Sequence, residues 1–135
     1  MSYQQKTDSI VVRVQPEYLE EQSSPDQELF VWAYHVEIEN TGKQSIQLLN
    51  RHWKITDALG RTQEVRGAGV VGEQPVLKPG ETYQYTSGTP LTTPSGIMLG
   101  TYEMAYEETS KDSPTVHVAI PAFSLDSPHE HGAVN

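Results

Sequence analysis

Wherever the chain shows a hydrophobic period, that period is two. The clearest case is Leu29 to Glu39 (LFVWAYHVEIE), with Phe30, Trp32, Tyr34, Val36 and Ile38 on one side and His35, Glu37 and Glu39 on the other, which predicts a half-buried strand. Ile10 to Gln15 (IVVRVQ) predicts an earlier strand, the first in the chain and at a sheet edge, which Pro16 should stop because proline has no amide for a ladder. Between them, Glu17 to Glu28 carries five carboxylates and a Ser-Ser-Pro-Asp turn signal, so it reads as a solvated connection with at most one helical turn around Tyr18 and Leu19. Asn40-Thr41-Gly42, residues that tolerate positive φ, should end the long strand and lead into the next at Ile46 to Leu49, as a hairpin or an inter-sheet turn. Trp53 and Ile55 then oppose His52, Lys54 and Thr56 as far as the Asp57-Ala58-Leu59-Gly60 turn, and Arg61 to Val65 returns in the same hairpin.

From Val65 to Ala105 glycine and proline interrupt every apolar run. Eight of the ten glycines lie between Gly60 and Gly100 and four of the nine prolines between Pro75 and Pro94, which leaves no room for a helix. Thr82 to Thr86 predicts a strand with Tyr83 and Tyr85 on one face, Ser87 to Leu99 a long loop, and Gly100 to Tyr106 a strand with Tyr102 placed as a corner tyrosine. Glu107 to Pro114 is a polar turn, Val116, Val118 and Ile120 form the last long strand, and an extended AFSLD follows Pro121. Ser127 to Asn135 has no apolar pattern and is expected to be a disordered tail. The sum is an all-β, antiparallel sandwich of immunoglobulin type with seven to nine strands, one domain over 1–126, and Trp32 and Trp53 in its core.

Composition narrows the function classes. At 135 residues the chain can bury a core unaided, and it has no cysteine, which removes disulfides, thiolate metal sites and thiol nucleophiles and fits a reducing cytoplasm. No leader pattern and no membrane-length apolar run is visible, so a soluble, cytoplasmic protein is expected. Eighteen acidic against nine basic residues give a net charge of −9, which disfavours nucleic acid and anionic membranes as partners. Five of the nine basic residues nevertheless fall between Lys43 and Arg66, against Asp57 and Glu64 alone. Solvated strand ends would account for them, and so would a local anion site.

The hexapeptide Gly67-Ala68-Gly69-Val70-Val71-Gly72 directly follows that basic segment. A dinucleotide fingerprint needs a helix after its glycines to present amides to the pyrophosphate, and Pro75 and Lys78-Pro79-Gly80 preclude one. What remains is an anion-binding nest of loop amides assisted by nearby arginines. The candidate anion or partner site is therefore Arg51, Arg66, Gly67, Gly69, Gly72 and Gln74 with Ser87 and Gly88 of the following segment; backbone geometry alone would also explain the glycines.

Three motifs, Arg51-His52-Trp53-Lys54-Ile55-Thr56-Asp57, Gly67 through Pro75, and Tyr85-Thr86-Ser87-Gly88 with Gly96 through Met104, closely resemble the bacterial ApaG family, and the resemblance extends from about Asp8 to Asp126. It implies an immunoglobulin-like or fibronectin type III-like sandwich, an association with cobalt tolerance and magnesium efflux, and genes that neighbour a diadenosine tetraphosphate hydrolase. Similar domains fused into an F-box protein and a DNA-polymerase-interacting protein imply use as an interaction module. The family brings no catalytic residues to carry over.

Five histidines would suit a soft divalent ion, but His35 and His117 sit on polar strand faces, His52 precedes Trp53, and His129-Glu130-His131 offers only a weak tail site. Ser87 and Ser95 lie beside glycines without a histidine to activate them, and the carboxylates are dispersed. The sequence thus points to a non-enzymatic module binding protein partners, without cofactor or metal. Its alternatives are a phosphate, pyrophosphate or nucleotide anion at the glycine loop, or weak divalent-metal binding.

Overall fold

The computed structural model describes residues 2–106 and 115–128; the expected polar turn at 107–114 and the histidines of the tail lie outside them. Among the described residues nine strands form two antiparallel sheets: β1 (Tyr3–Thr7), β2 (Ile10–Tyr18), β3 (Phe30–Asn40), β4 (Ile46–Asp57), β5 (Thr62–Ala68), β6 (Val76–Leu77), β7 (Thr82–Leu91), β8 (Ser95–Tyr106) and β9 (Val116–Asp126). One sheet runs β1-β2-β3-β7; the other runs β5-β4-β8-β9, with β6 pairing the start of β4. This is the all-β sandwich expected, with no α-helix among the described residues.

Its core is the union of the two inner faces. Trp32 and Trp53 are both buried, and Tyr34, Trp53 and Phe123 meet as tilted or edge-on rings with centroids 5.3 to 6.0 Å apart. The flank where β1 meets β9 is tied across the sheets, with the Ala119 amide donating to Thr7 Oγ1 and the Ser124 amide to the Tyr3 hydroxyl. The opposite flank, between β7 and β5, carries the glycine segment.

Several expectations are corrected, and three of the corrections share one cause. Ile10–Gln15 is the second strand, covered by β1, and β2 runs through Pro16 to Tyr18. The segment expected to loop from Ser87 to Leu99 is mostly strand, because β7 continues through Pro90 to Leu91 and β8 starts at Ser95. Likewise β9 runs through Pro121. Each proline sits where its strand has one free side: Pro16 beyond the end of β1, Pro90 on the edge strand β7, and Pro121 on the edge strand β9. A missing amide costs no ladder bond there.

The Glu17–Glu28 connection holds two single 3-10 turns, at Glu20–Gln22 and Pro25–Gln27, rather than one around Tyr18 and Leu19. The 40–42 crossing is an inter-sheet turn, and none of its three residues has positive φ. Instead the fully buried Asn40 side chain acts as a clamp: Nδ2 donates to the carbonyls of Gln44 and Leu77, and Oδ1 accepts from the Gly42 amide. Tyr102 is not a corner tyrosine; its hydroxyl bonds to that of Tyr85 on the facing sheet. Ser127, assigned to the tail, is buried, and its amide donates to the Pro94 carbonyl.

Candidate functional site

The glycine flank is built around a β-bulge. Ile46 and Leu48 point into the core, and so do Trp53 and Ile55, although the step from an even to an odd position would reverse the face in a regular strand; the register shift between Leu48 and Asn50 absorbs the extra residue. Strand β4 also changes partner there, from β6 at Ile46 and Gln47 to β5 from Asn50 onward. The bulge turns the Leu49 carbonyl outward, where it accepts from the Gly69 amide and from Gln74 Nε2, while the Leu48 amide donates to the Pro75 carbonyl. Gln74 is thus a staple for the bulge.

Between those ties the chain makes a two-residue hairpin. The Val70 amide donates to the Glu73 carbonyl at 2.8 Å and the Glu73 amide to the Val70 carbonyl at 2.9 Å. The two central residues, Val71 and Gly72, have φ of +42° and +83°, the signs of a type I′ turn. Val70 is fully buried and anchors the hairpin in the core, whereas Val71 is exposed. A β-branched residue at positive φ is a true outlier. The amides of Gly69, Val70 and Glu73 are all committed to carbonyls, so these three are not open to an anion.

Restoring the parity after the bulge also turns Arg51 inward, in a row with Gly67 on one side and the buried Tyr102 on the other. Arg51 Nη1 donates to the carbonyls of Ala68 at 3.1 Å and Gly69 at 2.9 Å. Gly67 leaves room for the guanidinium in this position, since a Cβ there would lie 2.8 Å from Nη1 and 2.9 Å from Nη2 and the arginine would have to shift. The hairpin therefore presents carbonyls to a guanidinium.

Arg51 divides two concavities. On the outer face of the β5-β4-β8-β9 sheet, a shallow groove of about 500 Å³ collects Arg51, Arg66 and Gly67 with His52, Glu103 and His117. Glu64 organises its edge by accepting from His52 at 3.0 Å and facing Lys54 and Arg66 at 4.0 and 3.8 Å; the bond from His52 and these cations hold its carboxyl below the usual range. On the open flank, a cleft of about 150 Å³ is lined by Arg51, Trp53, Val71, Tyr34, Tyr85 and Ser87. Burial pushes the Tyr85 and Tyr102 hydroxyls well above the ordinary phenol value, so both are neutral at physiological pH.

Of the candidate residues, Arg51, Arg66 and Gly67 thus share the groove, and Arg51 and Ser87 share the cleft. Gly69, Gly72 and Gln74 shape the hairpin without lining either cavity, and Gly88, opposite Ala33 on the other sheet, lines neither. Tyr34, Trp53, Val71 and Tyr85 were not anticipated as cleft residues. The parity change from Ile46 and Leu48 to Trp53 and Ile55 was the available signal, for it requires a bulge between them and places Arg51 inside.

A third arrangement lies on the outer face of the other sheet, in a groove of about 560 Å³. His35 Nδ1 is 2.9 Å from Thr86 Oγ1, and Nε2 is 2.9 Å from Glu17 Oε1. The atoms match a hydroxyl–imidazole–carboxylate relay, but they lie across β7, β3 and β2, with Thr86 opposite His35 and Glu17 two residues off its register, on a ladder whose interior amides pair with neighbouring strands. No oxyanion donor set accompanies them among the described residues. Among the described residues no group of three or more His, Asp or Glu side chains is placed to hold a metal ion, and no helix is long and apolar enough to cross a membrane.

Two packed antiparallel sheets closed on one flank and bulged on the other define an all-β sandwich domain. The ApaG domain family matches residues 20–106, and the chain belongs to that family. It is 62% identical over 133 residues to Protein ApaG of Paramagnetospirillum magneticum, covering 98% of this chain and 99% of the relative, and 59% identical over the same length and shares to Protein ApaG of Rhodospirillum centenum. A crystal structure named as an ApaA protein, from Bordetella pertussis, superposes with a TM-score of 0.82 at 50% identity, covering 88% of this chain and 94% of that one. These names state no enzymatic activity.

Proposed function

We propose that this domain is a non-enzymatic interaction module whose outer β5-β4-β8-β9 face docks a partner protein of acidic character. The carrying observation is on β8, a strand hydrogen-bonded on both sides: Ile97 and Leu99 point outward and are 50% and 44% exposed, while their neighbour Met98 is fully buried. An outer sheet face exposed to water alone is usually polar, so an apolar pair on a paired strand marks a surface for a partner. Leu59, 72% exposed in the turn after Asp57, adds an apolar side chain at the end of the neighbouring strand.

Charge favours an acidic partner over a second copy. On the β4–β5 hairpin of this face Lys54, Arg61 and Arg66 outnumber Asp57 and Glu64, which they flank, in a chain with a net charge of −9 whose copies repel one another at long range. The non-enzymatic reading is supported by two features of the described residues: the relay on the opposite sheet has no oxyanion donor set beside it, and Ser87 is bonded to no histidine or carboxylate.

The test pairs Ile97→Ser/Leu99→Ser with the unchanged protein as baits, followed by identification of whatever is captured. Both baits should have equal melting temperatures, because exposed substitutions rarely move stability by more than about 0.5 kcal/mol. We expect the identified partner, once purified, to bind the double variant at least tenfold more weakly, and to bind the unchanged domain more weakly as salt is raised. Equal affinity for both would remove this face as the docking surface.

A further inference from the structure

From Arg51 and the cleft beside it we infer an oxyanion site between the sheets, distinct from the outer face, which takes a single carboxylate or phosphate group. A guanidinium has five N–H donors, and Nη1 uses its two on the Ala68 and Gly69 carbonyls. The donors on Nη2 and Nε have no partner among the described residues. Together they form the side-on fork that matches the two oxygens of a carboxylate or phosphate.

The other arginines differ. Arg13 pairs with Glu37 and Glu39, Arg61 with Asp57 and Arg66 with Glu64, so Arg51 is the arginine without a carboxylate among the described residues. Among the described residues Arg51 faces a cavity and no carboxylate, so its remaining donors are available to an added anion.

The cleft's other walls suit the same occupant. Ser87 presents a hydroxyl without a partner among the described residues, Tyr34 turns its phenol group toward the interior, the Tyr85 hydroxyl is taken by Tyr102, and the apolar Val70, Val71 and Trp53 limit access of water. At about 150 Å³ the cleft is well below the range of roughly 300 to 1,000 Å³ that holds drug-sized molecules, so it admits one oxyanion group and not a nucleotide. The exposed Val71, held at φ +42°, stands at this cleft, and backbone strain of that kind is concentrated at ligand sites.

The test is an amide NMR titration of the unchanged protein with inorganic phosphate and, separately, with acetate, each against sodium chloride at equal ionic strength. Trp53 gives a local indole signal, and Val71 and Ser87 give backbone signals. We expect saturable shifts centred on these three residues with at least one of the two anions, and the responding anion identifies phosphate or carboxylate as the preferred chemistry. Because replacing Arg51 also releases the hairpin, the control is Ser87→Asp, which sets a carboxylate in the cleft and should weaken the response at least tenfold while the fold is kept. Overturning results are the absence of saturation with either anion, shifts confined to the exposed Lys54 and Arg66, or an undiminished response in Ser87→Asp.

Discussion

Tyr85 on β7 and Tyr102 on β8 join their hydroxyls across the interior, so two facing sheets share a hydrogen bond in the middle of an otherwise apolar core. Each hydroxyl is the other's buried partner. Tyr85→Phe should therefore cost about 1–3 kcal/mol, the penalty for stranding a buried polar group, and the double change to phenylalanine should cost less than the sum of the singles. Urea unfolding of the four proteins of this cycle measures the coupling.

The same pair sets an alkaline limit. Burial raises both hydroxyls above their ordinary value of 10.0, with the bond to Tyr102 partly offsetting the rise at Tyr85. As pH climbs past 10 the unfolded chain releases these protons before the folded one. The stability they contribute is therefore complete below pH 10 and is lost progressively above it. We expect two phenols to ionise only as the protein unfolds, followed at 295 nm, and the double phenylalanine variant to show a shallower decline above pH 10.

At the inter-sheet crossing, Asn40 satisfies its buried amide with two carbonyls and one backbone N–H, and its own backbone is held by Glu81 and Gly80. Asn40→Ala should cost at least about 1–3 kcal/mol by leaving the Leu77 carbonyl unpaired, whereas Asn40→Gly, if positive φ were the requirement, would be tolerated. Equal and small losses in both would return the crossing to a conformational explanation.

The contrast between Asn40 and β3 shows what the sequence carried. The alternation from Phe30 to Ile38 fixes the strand and its buried face without tertiary knowledge, because one face meets the core over its whole length. Asn40 was read as a turn former from residue type, while its role depends on carbonyls of Gln44 and Leu77 that no local pattern reveals. Pro16, Pro90 and Pro121 were read as strand breaks because their tolerance depends on which side of the strand is unpaired, a property of the sheet order. Arg51 was legible as a candidate, and its direction only through the parity change between Leu48 and Trp53, because the bulge at Leu49 turns it from a surface cation into an inner-face one.

Trp53 tests whether that open flank is part of the core. It is 2% exposed, meets Tyr34 and Phe123, and yet borders the cleft. Trp53→Ala should cost about 3–5 kcal/mol, as emptying a core aromatic site does, and Trp32→Ala a similar amount. A much smaller loss at Trp53 alone, measured by urea unfolding, would mean that the flank collapses around the gap.

The hairpin separates two kinds of glycine. Gly69 has φ +63°, and a Cβ there would stand 2.2 Å from the Glu73 carbonyl oxygen, a backbone atom bound in the turn; Gly72 has φ +83° with open space around it. Gly72→Ala should cost only the left-handed penalty of about 1–2 kcal/mol. Gly69→Ala should cost more, because the Val70–Glu73 pair must open as well, and a smaller loss at Gly69 than at Gly72 would contradict the packing. Val71 gives the opposite sign. Type I′ turns favour Asn-Gly, and Val71→Asn replaces a β-branched side chain at φ +42° with one that tolerates that region. We expect it to stabilise the protein by roughly 0.5–1 kcal/mol, the scale of a favourable turn substitution. If Val71→Asn raises the melting temperature while weakening the anion response of Trp53 and Ser87, the strain at Val71 is kept for the cleft; if it raises the melting temperature and leaves that response intact, the valine has no part in binding.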